Sequence, residues 1–320
     1  MSTRVKIRER LDDHEIADVL SLVEAATEID RVRPLNEHVM LHLRYGGDPR
    51  ARSVLLYADG LAGYAHVDPT DEVEGPSGEL VIHPAQRGRG NGKELLRAVL
   101  DLTGGRLRLW AHGGHPGAEA LAGSLGFVRA RSLWQMRRSL YAPIPAATLP
   151  DGVTLRAFIP GQDEEAWLKV NAAAFAHHPE QGAWTLDDLR RRESEPWFDP
   201  AGFFLAFRGD RLVGFHWTKI HGSDEHGHEP LGEVYVVGVD PSQQGTGLGK
   251  ALTLTGLDHL RSRGLAQAML YVDETNTAAI RLYESLGFAR WDVDVMYAAT
   301  PPPSAGRSTT EPRPEPQPGS

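Results

Sequence analysis

Gln244-Gly245-Thr246-Gly247-Leu248-Gly249 and, earlier in the chain, Arg87-Gly88-Arg89-Gly90-Asn91-Gly92 are two glycine-rich turns of one form, [Gln/Arg]-x-x-Gly-x-Gly. A strand-like run precedes each, Val237-Gly238-Val239-Asp240-Pro241 in one case and Leu80-Val81-Ile82-His83-Pro84 in the other, and an amphipathic helical pattern follows. Glycines let the backbone turn sharply and approach a ligand, while a helix start offers unpaired N–H groups and a positive dipole end. Both turns therefore predict a site for an anion such as pyrophosphate. The spacing excludes the two commonest nucleotide loops. A P-loop needs Ser or Thr after Gly-Lys, but Gly92-Lys93 runs into Glu94 and Gly249-Lys250 into Ala251. The dinucleotide fingerprint needs a third glycine where Lys93 and Lys250 stand. A bare turn without a ligand is the simplest reading of one copy, and recurrence before a helix in both halves weakens it.

Working outward, the rest of the chain also repeats. Val5-Lys6-Ile7-Arg8 and Val153-Thr154-Leu155-Arg156 each open a strand-then-helix pattern; in the first, Ile16, Val19, Leu20 and Val23 share a helical face. Hairpins are predicted over 53–66, turning at Asp59-Gly60, and over 203–217, turning at Gly209-Asp210. Leu121–Phe127 (LAGSLGF) matches Leu282–Phe288 (LYESLGF), and a last strand follows each. The offset is 157 residues at Pro84 and Pro241, which puts Pro76 opposite Glu233. An α/β fold with a mixed sheet in two tandem copies is expected. The first domain covers 1–140, a proline-bearing connector 141–152, the second domain 153–300, and a disordered Pro-rich tail 301–320.

Composition agrees with two folded domains: 320 residues suit two cores of about 150 each, and 41% hydrophobic with 24% charged residues is ordinary for globular chains. A net charge of −9 disfavours nucleic acid or anionic membrane and suits a cationic substrate. With no cysteine, disulfides, thiolate zinc sites and cysteine nucleophiles drop out. No 18-residue apolar run and no signal-like start are present, so a soluble cytoplasmic protein is expected.

The two turns resemble the acyl-CoA loop of the GNAT acetyltransferases, and Asn276-Thr277-Ala278-Ala279-Ile280-Arg281-Leu282-Tyr283-Glu284-Ser285-Leu286-Gly287-Phe288 is similar to that family's N-x-x-A-x-x-L-Y-x-x-x-G-F segment. The resemblance covers both halves. It implies two tandem GNAT domains, acetyl-CoA as co-substrate, and direct acetyl transfer from the thioester to an amine. It further implies contacts to acetyl-CoA from Leu80, Val81, Ile82, Gly88, Arg89, Gly90, Asn91, Gly92 and Lys93. In the second half they come from Val237, Gly238, Val239, Gln244, Gly245, Thr246, Gly247, Leu248, Gly249, Lys250 and 276–281, that is Asn276, Thr277, Ala278, Ala279, Ile280 and Arg281. Tyr283 falls at the position whose phenol protonates the departing sulfur.

Glu233 precedes Val234-Tyr235-Val236-Val237 on a strand heading for the loop, where its carboxylate can act as general base, directly or through a water. The bland readings are a solvated strand-end glutamate and a core tyrosine. The first half has Ala122 at the place of Tyr283, so that half is expected to bind CoA and catalyse little.

His178-Pro179-Glu180-Gln181-Gly182, Gly214–Lys219 (GFHWTK) and Gly232–Val236 (GEVYV) are similar to tandem members of the family whose acceptor is the cysteinyl amine of Cys-GlcN-Ins. That implies acceptor contacts from Glu37, Glu180, Lys219, Glu233 and Tyr271, each with solvated or packing residues as the plainer alternative. His221–His228 (HGSDEHGH) has the composition of a metal loop, but a lone loop supplies no supporting shell, so a solvated loop and no metal are expected. Trp167, Trp184, Trp197 and Trp217 are expected in the core, with one lining a sugar pocket as the alternative. Another amine acceptor (an aminoglycoside, a polyamine or a protein N-terminus) and a non-catalytic acetyl-CoA-sensing module stay open. Two pseudo-symmetric halves lead us to expect a monomer.

Overall fold

A computed structural model describes residues 3–71, 74–176, 179–222 and 229–299, with backbone only at 179 and 180. The Pro-rich tail and most of the His-rich loop, residues 223–228, lie outside the described residues. Among the described residues no helix is long and apolar enough to cross a membrane.

In chain order the elements are β1 (Arg4–Arg8), α1 (Asp13–Asp30), α2 (Glu37–Tyr45), β2 (Arg52–Ala58), β3 (Gly60–Asp68), β4 (Ser77–Ile82), α3 (Asn91–Leu102), β5 (Arg108–Ala111), α4 (Pro116–Ser124) and β6 (Phe127–Ser139). They continue with β7 (Val153–Ala157), α5 (Glu164–Ala174), α6 (Pro179–Gly182), α7 (Leu186–Glu193), β8 (Phe203–Arg208), β9 (Arg211–His221), β10 (Leu231–Val239), α8 (Leu248–Ser262), β11 (Gln267–Asp273), α9 (Thr277–Ser285) and β12 (Ala289–Ala299).

Two compact units result, and neither is a single stretch of chain. Of the described residues, unit 1 holds those up to Ala111, 115–130 and 296–299; unit 2 holds 112–114 and those of 131–295. In unit 1 the strand order is β1-β2-β3-β4-β5, antiparallel except for the parallel β4–β5 pair. The end of β12 completes it: Ala299 N–H donates to Leu107 O at 2.8 Å, and Tyr297 packs on the core that holds Leu95, Val99 and Phe127. In unit 2 the order is β7-β8-β9-β10-β11-β6, with β10–β11 the parallel pair and β6 paired antiparallel to β11 from Leu133 to Ser139. Each sheet is mixed and carries helices, as the α/β reading expects.

Local chemistry sets the helix starts. Asp12 caps α1, its carboxylate accepting from Glu15 N–H at 2.8 Å while the Glu15 carboxylate accepts from Asp12 N–H at 3.4 Å, a capping box. The two glycine loops work differently. Gly90 (φ 87°) and Gly247 (φ 89°) are the N-caps of α3 and α8 in left-handed backbone, and neither helix start receives a side-chain cap. Those N–H groups are left for water or an anion. Behind its loop α8 is anchored: Leu254, Leu257 and Leu260 pack against Val234, Ala268, Leu270 and Met136, while Leu248 and Leu252 pack against Ala206 and Val213. The aromatic residues gather on the other face, where fully buried Trp167 and Trp217 lie 5.9 Å apart between ring centroids and Phe203 stacks on Trp217 at 4.4 Å.

Candidate active site

Strand β10 departs from its counterpart β4 by one residue. β9–β10 pairing runs from Val239↔Gly214 to Val236↔Trp217 and resumes at Val234↔Thr218, so Tyr235 is the extra residue of a bulge. β3–β4 pairing is unbroken from Gly63↔Ile82 to Asp68↔Ser77. The 157-residue offset therefore holds only on the loop side of the bulge. By register the counterpart of Glu233 is Ser77, not Pro76, and that of Lys219 is Asp68. Serine offers no comparable base, and Glu79, the carboxylate that does hold the last paired position of β4–β5, already accepts from the Asn36 N–H at 2.6 Å.

Glu233 stands where two strands part. β10 pairs with β11 at Gly232↔Ala268 and Glu233↔Met269, and no further, although the strands continue to Val239 and Asp273. The segment Val237-Gly238-Val239 thus lies beyond the divergence and leads to the α8 N-terminus. In β4–β5 pairing stops at Glu79, so Leu80, Val81 and Ile82 occupy the equivalent stretch; there Ile82 O already accepts from Arg87 Nε at 3.1 Å, and Arg87 forms a two-pronged pair with Asp30 at 2.7 Å.

Paired residues of neighbouring strands share a face. Lys219, Glu233, Met269 and Arg137 form one row across β9, β10, β11 and β6, and Tyr271 with Gln135 forms a row on the diverging side. Strand alternation continues Phe215 and Trp217, which face Trp167, into Lys219 and His221. Glu233 is 7% exposed and Lys219 8%, so water competes little with either. Lys219 Nζ lies 4.1 Å from the Trp197 ring centroid and 5.0 Å from that of Tyr235, a cation–π seat for a cation set opposite a carboxylate. Trp167 and Trp217 fill the core, whereas Trp197 reaches the edge of this face. The Glu233 carboxylate accepts from His221 Nε2 at 2.7 Å through Oε2.

Tyr271 accepts through its hydroxyl from Gln135 Nε2 at 2.9 Å; desolvation, then the Asp294 and Glu233 carboxylates, raise its phenol above the usual range. Asp294 is itself held by His112 Nδ1 at 2.8 Å and by Gly113 N–H at 2.9 Å. Arg137 lies 4.6 Å from the Trp291 centroid, and burial lowers its pKa. Tyr283, on α9 beside Phe288, is pushed up to about 12 by burial alone.

Of the remaining sequence-derived positions, Asn276 caps α9 through Ala279 N–H at 3.1 Å and Ile280 is turned into the core. Glu37 is the first residue of α2 in unit 1, and the preceding Asn36 donates its N–H to buried Glu79 at 2.6 Å. Glu180 belongs to α6, and its side chain lies outside the described residues. Sequence reasoning missed His221 as the partner of Glu233, and Gln135, Arg137 and Asp294 as neighbours of Tyr271. Among the described residues no group of three or more His, Asp or Glu is arranged to hold a metal ion.

An uncapped glycine-started helix thus stands beside a diverging parallel strand pair, with a buried carboxylate at the fork. The chain belongs to the acetyltransferase (GNAT) family, whose model matches residues 19–127 and 168–288, and it is an acetyl-CoA-dependent N-acetyltransferase. It is 69% identical over 335 residues to the mycothiol acetyltransferase of Streptosporangium roseum, covering 93% of this chain and 99% of that one. It is 65% identical to the protein of the same name from Thermobispora bispora, with coverage of 93% and 99%. Among solved structures, a tandem GNAT protein from the clavulanic acid biosynthesis pathway superposes with a TM-score of 0.70 at 18% identity, covering 94% of this chain and all of that one, a likeness of fold.

Proposed function

We propose that the protein transfers the acetyl group of acetyl-CoA to the free cysteinyl amine of Cys-GlcN-Ins, giving mycothiol and CoA. Near-full-length similarity to mycothiol acetyltransferases supports the acceptor, and one observation carries the mechanism: the only side-chain carboxylate at the last paired position of the β10–β11 fork is Glu233. Acetyl-CoA fits the uncapped α8 N-terminus, where loop 244–250 meets its pyrophosphate, and main-chain groups of 237–239 face its pantetheine and acetyl end. Glu233 takes the proton of the ammonium. The amine nitrogen then bonds to the thioester carbon, the C–S bond breaks as Tyr283 gives its proton to sulfur, and the second nitrogen proton, lost as the amide forms, restores the Tyr283 phenol, while the proton on Glu233 leaves to solvent. A fixed donor to the developing oxyanion contributes about 2.7–4 kcal/mol in comparable sites. Glu37, Glu180, Lys219, Glu233 and Tyr271 are the positions that the resemblance assigns to the acceptor. A charged donor such as Lys219 gives about 1.5–3 kcal/mol to a sugar or inositol hydroxyl.

The first half, with Ser77 and Ala122 at the two catalytic positions, holds acetyl-CoA without turning it over. The protein acts as a cytoplasmic monomer; a sedimentation mass near twice 35.1 kDa would refute this. The direct test incubates the protein with acetyl-CoA and Cys-GlcN-Ins and looks by mass spectrometry for the gain of one acetyl group on the acceptor amine. CoA binding with an untouched acceptor, and acetylation of an aminoglycoside or polyamine instead, would overturn the acceptor and leave the chemistry standing.

A further inference from the structure

We propose that His221 is a positioning residue for the reaction, holding the Glu233 carboxylate in the rotamer that receives the ammonium proton. This rests on the reading of Glu233 as the base. At 2.7 Å a hydrogen must lie between His221 Nε2 and Glu233 Oε2, and a carboxylate only accepts, so Nε2 donates.

The sheet register fixes on which side the bond is made. His221 pairs with Leu231, two residues before Glu233, whereas β10 and β11 part after Glu233. His221 therefore grips the carboxylate from the side away from the fork and leaves the other oxygen for the fork, where Tyr271 stands. Lys219, directly across from Glu233, has its ammonium over the Trp197 ring at 4.1 Å. A Glu side chain with one oxygen fixed loses the freedom to swing toward that cation. His221 is the last residue of β9 and its side chain is 34% exposed, so it contributes little to core packing and its substitution is tolerable to the fold.

Three variants and one cycle test the assignment. His221→Ala is expected to lower kcat about tenfold, the scale of a misplaced catalytic group, with the KM for acetyl-CoA within about twofold. His221→Gln, whose carboxamide N–H reaches the position of Nε2, is expected to recover most of the loss. In a Glu233→Gln background His221→Ala is expected to cost nothing further, because the group it positions is gone. Acetyl-CoA affinity followed by intrinsic tryptophan fluorescence reports the fold of each variant; if His221→Ala loses it, His221→Leu replaces it in the cycle. Losses that multiply in the double variant, a His221→Gln as slow as His221→Ala, or a His221→Ala as fast as the parent would each overturn the assignment while a slow Glu233→Gln keeps the base. A Glu233→Gln that turns over normally would remove both.

Discussion

Glu233→Gln isolates the proton-transfer role because it preserves shape and the His221 contact: the new amide oxygen still accepts from Nε2. What is lost is a basic group in a place nearly closed to water, the residue being 7% exposed, so bulk solvent is a poor substitute. General-base contributions of about 10²–10⁴ correspond to about 3–5 kcal/mol in the barrier, and the enclosure argues for at least the middle of that range near neutral pH. The deficit should shrink as pH rises. An α-amine titrates near 7.7–8.0, so about 5% is neutral at pH 6.5 and more than about 90% at pH 9. The variant, which can use only amine that arrives neutral, should gain about 20-fold in turnover across that interval, while the parent gains far less. Product should be quantified by chromatography and mass spectrometry, because the cysteinyl acceptor carries its own thiol and confuses thiol reagents. A variant with parental turnover at pH 6.5, or one whose deficit stays constant up to pH 9, would refute the role.

Tyr283→Phe should slow acetyl transfer about 10- to 100-fold with acetyl-CoA affinity retained. Because burial pushes this phenol up to about 12, its proton-bearing form persists below that value, and the parent's rate should show no alkaline fall from Tyr283 up to pH 10; such a fall, absent from Tyr283→Phe, would contradict the burial. Gly247→Asp places a carboxylate and a side chain in left-handed backbone (φ 89°) at the start of α8, so acetyl-CoA use should be abolished, whereas Gly90→Asp should spare most turnover; equal losses would contradict the division between the halves. Gly256→Ala would normally strengthen a helix by about 1 kcal/mol, but its Cβ would lie 1.9 Å from the ring of buried His216, which donates Nδ1–H to Leu252 O at 2.7 Å. Overpacking and the disturbed bond outweigh the gain by about 2 kcal/mol, which should lower Tm by about 4–8 °C in a thermal melt.

The loops at Gly90 and Gly247 were legible because a left-handed N-cap admits little but glycine, and the strand and helix patterns on either side have different periods. The hairpin turns at Gly60 and Gly209 were legible for the same reason. Tyr235 was not: a bulge adds one residue to one strand, and connectors of unequal length on both sides hide a slip of one in the repeat, which is why Pro76 rather than Ser77 was set against Glu233. The His221–Glu233 contact depends on that register, and the histidines that follow His221 in the chain drew attention to metal chemistry instead. Gln135, Arg137 and Asp294 were invisible as site neighbours because a strand's pattern of apolar residues says that it joins a sheet, not which sheet.

That β12 begins in unit 2 and ends in unit 1 has a consequence for how the protein is made. The edge of unit 1 beyond β5 is finished by Tyr297 to Ala299, which leave the ribosome only after the whole of unit 2. Synthesis proceeds at about 5–20 residues per second, so for about 10–40 seconds a nascent first half must carry an unsealed sheet edge, a known invitation to misassociation. A polypeptide cut between the halves would inherit that exposure permanently, and co-expression of the two pieces, rather than either one alone, is the route by which a split version of this enzyme would recover soluble, paired sheets.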